Sequence, residues 1–266
     1  NLSNQQLWEK EKVYEDHGAV FCDLDADGDQ DLLVLSGGIE APKEIRIKAW
    51  KHRIYLNTDG KGSFQKVASN LGTDNADLSL RLVAHDYDND GDQDLFIGGR
   101  AVGDNWPLTP RSVVLRNERG SFTDVTASIA KDFERCGMVT DMHWADLDGD
   151  KQQELVVVGE WMPVSVFKFV GGKLVNSTAQ FGLNKSNGIW NCVTVADLDN
   201  DGDLDLATGN FGLNTRYTAS ASEPFGCYAK DFDNNGTLDP IVTFYENGKI
   251  YPLVQKEVMV KQIPSL

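Results

Sequence analysis

Asp23-Leu24-Asp25-Ala26-Asp27-Gly28-Asp29-Gln30-Asp31 decides the fold, because its acidic spacing returns four more times, beginning at Asp86, Asp146, Asp197 and Asp231. With each copy numbered 1 to 9, positions 1, 3, 5 and 9 hold Asp23, Asp25, Asp27 and Asp31, then Asp86, Asp88, Asp90 and Asp94. The fourth copy is equally complete, with Asp197, Asp199, Asp201 and Asp205. The third ends in a glutamate (Asp146, Asp148, Asp150, Glu154), and the fifth has an amide at position 5 (Asp231, Asp233, Asn235, Asp239). Position 7 is Asp29, Asp92, Gln152, Asp203 or Thr237.

Four carboxylates in one short loop repel one another, each close pair by roughly 1 kcal/mol in water and about 4 kcal/mol at an effective dielectric of 20. A hard divalent cation removes that cost. Ca2+ takes six to eight oxygens from carboxylates, backbone carbonyls and water, so the spacing predicts up to five Ca2+ sites, with position 7 lending its backbone carbonyl. Flexible loops rich in carboxylates favour Ca2+ over the smaller Mg2+. Glycine at position 6 (Gly28, Gly91, Gly202, Gly236) permits the sharp turn. The third copy has Lys151 there; that change and Asn235 predict weaker or different binding at the third and fifth loops.

The same spacing opens an EF-hand, whose pattern continues to a glutamate at position 12 and a helix. Here position 12 is Val34, Ile97, Val157, Thr208 or Val242, and each loop runs into a short apolar stretch such as Leu32-Leu33-Val34-Leu35 or Leu155-Val156-Val157-Val158. Such β-branched runs ended by glycine read as strands buried on both faces. Each loop therefore joins two strands.

Loop starts are 63, 60, 51 and 34 residues apart, which marks a repeat architecture. In the first three repeats an apolar strand enters the loop (Ala19–Cys22, Leu82–His85, Met142–Ala145) and a second leaves it. After a linker comes a hairpin: Arg53–Leu56 with Phe64–Val67, Val113–Arg116 with Phe122–Val125, and Val164–Phe167 with Leu174–Val175. Four short antiparallel strands per repeat describe a β-propeller blade. The expected fold is all-β, one propeller region over 1–266 with blades at 13–70, 80–127, 137–178 and 189–254. The last joins the fourth and fifth loops, with two shortened blades as the alternative, so the count is four or five. Neither Trp8-Glu9-Lys10-Glu11-Lys12 nor Gln262-Ile263-Pro264-Ser265-Leu266 reads as a closing strand, so the chain is expected to be a piece of a larger propeller.

At 266 residues and 41% hydrophobic the chain suits a globular domain. Its net charge of −16 lies largely in the five loops, which hold about half of its 41 acids; five bound Ca2+ would bring the total to roughly −6. The acidity is site chemistry and argues against nucleic acid as a partner. No apolar run reaches 18 residues, so attachment to a membrane would come through parts outside this chain. Cys22, Cys192 and Cys227 fall on strands leading into the loops, where small buried apolar side chains are expected; with Cys136 they show no CxxC spacing.

The repeated acidic loop followed by a hairpin such as Tyr55-Leu56-Asn57 to Phe64 resembles the FG-GAP/VCBS repeat of integrin α-subunit propellers and many bacterial surface proteins. Gly98-Gly99-Arg100, Gly159-Glu160-Trp161-Met162-Pro163, Gly209 through Tyr217 and Lys261 through Leu266 resemble, more narrowly, the bacterial ASPIC/UnbV group related to cartilage acidic protein. The resemblance implies a Ca2+-stabilised propeller, exported to the cell surface, outer membrane or extracellular space, with an adhesion or ligand-binding role.

Strand order puts the acidic loops and tight hairpins on one face of the propeller and the linkers on the other. That opposite face is expected to collect Arg100, Trp106, Trp161, Trp190, Asn214, Arg216 and Tyr217, side chains suited to an extracellular glycan or protein. The structural alternative packs Trp161 and Trp190 between blades and ties Arg100 and Arg216 into ion pairs. No GxSxG, HExxH or phosphate-binding glycine loop is present, and His17, His52, His85 and His143 are scattered. The main reading is a binding scaffold without catalytic residues. Its rival is the propeller of a polysaccharide lyase or sugar dehydratase, which would gather His, Tyr217 and Arg216 in one cleft.

Overall fold

The computed structural model describes residues 2–38, 44, 49–68, 71, 77–103, 105–212, 215 and 217–263. An opening helix α1 (Leu2–Glu11) precedes four sheets, all antiparallel. The first is β1 (Asp16–Cys22), β2 (Asp31–Ser36), β3 (Arg53–Asn57) and β4 (Phe64–Val67), paired in chain order. The second repeats it with β5 (Asp77–His85), β6 (Asp94–Val102), β7 (Val113–Glu118) and β8 (Ser121–Asp124). After two short helical turns, α2 (Thr126–Ile129) and α3 (Lys131–Glu134), come β9 (Met138–Ala145), β10 (Glu154–Met162), β11 (Ser165–Val170) and β12 (Lys173–Asn176). These are blades of a propeller, each with its acidic loop between the first and second strands. The incoming strands β1, β5 and β9 lie side by side, as they do around a common axis.

Period-2 alternation explains how the blades stack. From β6 and β7, Leu95, Ile97 and Leu115 join Leu33 and Leu35 in one core, while Phe96 and Val114 face the other way and join Val139, Met142, Trp144 and Phe167. Leu155 and Val157 of β10 look back into that second core, whereas Val156 and Val158 look forward to Val193. The continuous apolar runs after each loop are therefore filling two interfaces at once. At the second of these, Gly98 lies so close to Val139 that a Cβ would come within 2.5 Å of its Cγ1, so glycine sets the approach of β6 to β9.

The chain departs from the expected single blade at 189–254. Here β13 (Gly188–Ala196) pairs with β14 (Asp205–Asn210) and touches β10 through Glu160↔Ile189 and Met162↔Gly188. Next, β15 (Gly226–Lys230), β16 (Asp239–Glu246) and β17 (Lys249–Pro252) form a sheet of their own, closed by helix α4 (Lys256–Gln262). The physical reason is local. The fifth loop makes its own hairpin, with Lys230 pairing to Asp239, and among the described residues between Asn210 and Gly226 no strand brings β15 alongside β14, so the two pairs stay in separate sheets.

Helix α1 and the motif it covers were invisible to pattern reading. Its Trp8 packs edge-on to Tyr55 with centroids 5.1 Å apart, and Asn4 donates to Gly62 O (2.6 Å) while accepting from Phe64 N–H (3.2 Å). Under it Arg53 is buried, paired with Asp16 and with Glu11 (3.3 Å), its guanidinium 4.1 Å from the Tyr14 ring centroid. The cysteines are free; Cys22 is buried as expected, but Cys192 is exposed on β13.

Candidate metal centres and the opposite face

All five acidic loops fold the same way, and hydrogen bonds within each loop say why. The position 1 carboxylate accepts the position 6 N–H: Gly28 to Asp23 (2.9 Å), Gly91 to Asp86 (3.1 Å), Lys151 to Asp146 (3.0 Å), Gly202 to Asp197 (3.1 Å) and Gly236 to Asp231 (2.9 Å). Position 5 accepts from position 7, as in Asp29 N–H to Asp27 (3.0 Å) and Thr237 N–H to Asn235 (2.8 Å). Two left-handed residues bend the chain, at position 4 (Ala26, Asn89, Gly149, Asn200, Asn234) and position 6. Asparagine is tolerated there at position 4 better than most residues, whereas Lys151 at φ 72° is forced into the glycine conformation.

Position 9 has a second task. Its carboxylate, buried in all copies but the half-buried Asp205, accepts the position 2 N–H: Leu24 to Asp31 (2.9 Å), Tyr87 to Asp94 (3.2 Å), Leu147 to Glu154 (2.9 Å), Leu198 to Asp205 (2.9 Å) and Phe232 to Asp239 (3.0 Å). In the first two sheets its other oxygen takes the N–H at the end of the third strand, Asn57 to Asp31 and Asn117 to Asp94, both at 2.8 Å. This residue thus pins loop, outgoing strand and third strand together. Burial pushes the Asp94 carboxyl up to about 6, partly offset by those two backbone donors.

The loops gather oxygens as a hard cation requires. Carboxylate oxygens of Asp23, Asp25 and Asp27 lie within 4.8 Å of one another, as do those of Asp86, Asp88 and Asp90. In the remaining loops the close sets are Asp146, Asp148 and Glu154; Asp197, Asp199 and Asp205; and Asp231, Asp233 and Asp239. Asp25 Oδ1, Asp29 Oδ1 and Asp86 Oδ1 are buried and accept no hydrogen bond. A buried anionic oxygen without a donor is costly unless a cation faces it. Burial, then neighbouring carboxylates, raise the Asp25, Asp29 and Asp88 acids above the usual range. The donor set of the first two loops fits a divalent ion such as Ca2+. Loops and tight hairpins share one end of the sheets, since Arg119 N–H of the β7–β8 turn donates to Asp92 at 3.0 Å.

The chain belongs to the FG-GAP-like repeat family. The family model matches residues 23–97 and 146–208, just over half of the chain, and each match begins on position 1 of an acidic loop. No curated protein matches it. In this FG-GAP-like chain the repeat unit is the blade itself, and its acidic clusters are ones that could hold ions.

The linkers after the second strands build a cavity of about 790 Å³ at the opposite end. Of the residues expected there, Trp161 and Tyr217 line it, beside Asn184, Asn187, Asn210 and Phe225. Trp161 stacks on Phe225 (centroids 5.7 Å, planes 7° apart), which meets Tyr217 at 6.0 Å, and Tyr217 meets Phe244 at 4.6 Å. Lys185 is the charged residue among those described in its lining. The other expected residues are placed elsewhere. Arg100 pairs with Glu160 at 2.6 Å, bridging β6 and β10; Trp190 donates to Ser186 O at 3.0 Å and packs on the core between β10 and β13; Trp106 is half-buried beyond β6. Asn214 and Arg216 lie outside the described residues. His85 stacks on Trp144 at 4.2 Å and His52 accepts the Ser36 N–H at 3.1 Å, so both have packing roles.

One functional side chain escaped the sequence reading altogether. Lys168 of β11 places its ammonium 2.5 Å from Asp148 Oδ2, 2.8 Å from Asp150 Oδ2 and 3.2 Å from Glu154 Oε1. The signal was available in the repeat register. Phe167 pairs with Leu155 as Tyr55 does with Leu32 and Leu115 with Leu95, so Lys168 corresponds to Leu56 and Arg116.

Proposed function

We propose that this chain is a Ca2+-binding propeller region of an exported surface protein, in which the ions are structural and the opposite face binds a ligand. The observation that carries the reading is the set of buried, donorless carboxylate oxygens inside loops whose acids converge within 4.8 Å. Extracellular calcium modules have dissociation constants of about 10⁻⁴ to 10⁻³ M, so millimolar Ca2+ adds about 0.4 to 1.4 kcal/mol per site. Several sites together reach a few kcal/mol, a large part of a domain's net stability.

Aromatic faces with amide and hydroxyl groups suit a glycan, whose apolar ring faces stack while its hydroxyls take hydrogen bonds, and the single charged side chain among the described lining residues supports a neutral one. Thermal melts of the chain in EGTA, in millimolar Mg2+ and in millimolar Ca2+ test the metal reading. A rise of several degrees with Ca2+ is expected, about 2–4 °C for each kcal/mol, and equal melting in all three buffers would overturn it. A neutral glycan panel tests the face: Tyr217→Ala should abolish binding without moving the Ca2+ response.

A further inference from the structure

The third acidic loop differs from the others in what already faces its carboxylates. Lys168 comes from the neighbouring strand β11, its side chain 16% exposed, and its ammonium has three carboxylate partners at 2.5, 2.8 and 3.2 Å. Two of these contacts are hydrogen bonds, to Asp148 and Asp150; Glu154 Oε1 accepts no hydrogen bond and faces the ammonium as the third member of an ion-paired set. Glu154, the deepest of the three, is fully buried. Hydrogen bonds to Asp148 and then Asp150 hold the Lys168 ammonium above its ordinary range, and the same bond draws the Asp150 acid down.

The other loops show that this arrangement is a substitution within a common frame. At the equivalent position the first sheet has Leu56, which brings no charge, and its loop keeps the donorless oxygens of Asp25 and Asp29. The second has Arg116, which is drawn away to Glu118 at 2.6 Å, and Asp86 Oδ1 keeps no donor. In the third, the cation from β11 occupies the space between the acids. A divalent ion entering there would have to expel a like charge that three carboxylates hold.

We infer that the Lys168 ammonium replaces the metal in the third loop, so that this loop is closed without Ca2+ while its neighbours depend on it. The inference rests on the calcium reading of the other loops. Chemically, the third sheet is flanked on both sides, by β5 and β6 and by β13, and a resident side-chain cation keeps that middle sheet folded when the ion concentration falls.

Counting bound Ca2+ by equilibrium dialysis and calorimetry on the whole chain tests it. Asp88→Asn, in the second loop, should lose one ion and serves as the reference. Asp148→Asn should lose none. Lys168→Leu, which installs the residue of the first sheet, should gain one ion, and should melt below the parent in EGTA with the gap closing in millimolar Ca2+. Loss of an ion in Asp148→Asn, or no gain in Lys168→Leu, overturns the inference. If Lys168→Leu does not fold in either buffer, the Asp148→Asn count decides alone. A parent chain that binds no Ca2+ would instead sink the calcium reading, and Lys168→Leu would still decide whether removing the ammonium opens a site.

Discussion

The first three sheets and the strands after residue 188 are written in the same repeat language but finished differently. In β2, β6 and β10 the outgoing strand is almost wholly buried, because a sheet lies on each side of it. In β14 the corresponding Leu206, Ala207 and Thr208 are only half-buried, and large apolar side chains such as Phe211, Tyr228, Ile250 and Tyr251 are exposed. Sequence pattern fixes which residues point to each side; what lies on that side determines whether the burial is collected. The acidic loops, by contrast, are nearly identical in both regions, since their shape comes from hydrogen bonds within nine residues.

The widest gap between the regions should appear in core truncations. Phe96→Ala empties a fully buried site touching Trp144 at a ring distance of 4.9 Å and should cost about 3–5 kcal/mol. Leu206→Ala, at a half-buried site, should cost about 1 kcal/mol. Urea unfolding of both variants measures the difference, and equal costs would break the comparison. Hydrogen exchange should rank the amides of β6 and β10 as slow and those of β14 and β16 as faster.

Acid should strike the first region selectively. His52 is buried and held neutral, its pKa lowered to about 4 by burial and then by the Arg53 charge. Because the unfolded chain takes up a proton near pH 6.5 and the folded one does not, this contribution is complete above that pH and is lost as pH falls from about 6.5 through 4. A shift of this size is on the order of 3 kcal/mol. His52→Gln should flatten that part of the stability profile, and an unchanged slope would remove His52 from the account.

The smallest effect sharpens the likeness of the loops. Lys151→Gly restores glycine at a left-handed position and should stabilise by about 1 kcal/mol. Ala26→Asn, at φ 62° in the first loop, should gain a few tenths of that scale for the same reason. Denaturant midpoints that fall in either variant would mean that the turn is set by something other than backbone strain.

Loops, incoming and outgoing strands and hairpins of the first three sheets were legible because spacing and period-2 alternation are properties of contiguous residues. The partition of 189–254 into two sheets was legible only as an alternative, because nothing in the sequence between Asn210 and Gly226 announces whether β15 will lie alongside β14. Arg53, Glu11 and Asp16 are unremarkable in sequence and meet only when α1 folds back over β3. The role of Lys168 depends on strand register across 14 to 20 residues, and Trp190 and Arg100 were drawn into packing and pairing by neighbours that no local pattern specifies.

The side-chain amide of Asn117 donates at once to Leu24 O in the first acidic loop and to Gln93 O in the second, at 2.9 and 3.1 Å. The hairpin of one blade is thereby a strut for the loop of the blade before it. Filling or emptying the first loop would be felt mechanically by the second, so the two should load as a zipper, with a titration steeper than that of isolated sites and a seam that opens from the end rather than from the middle.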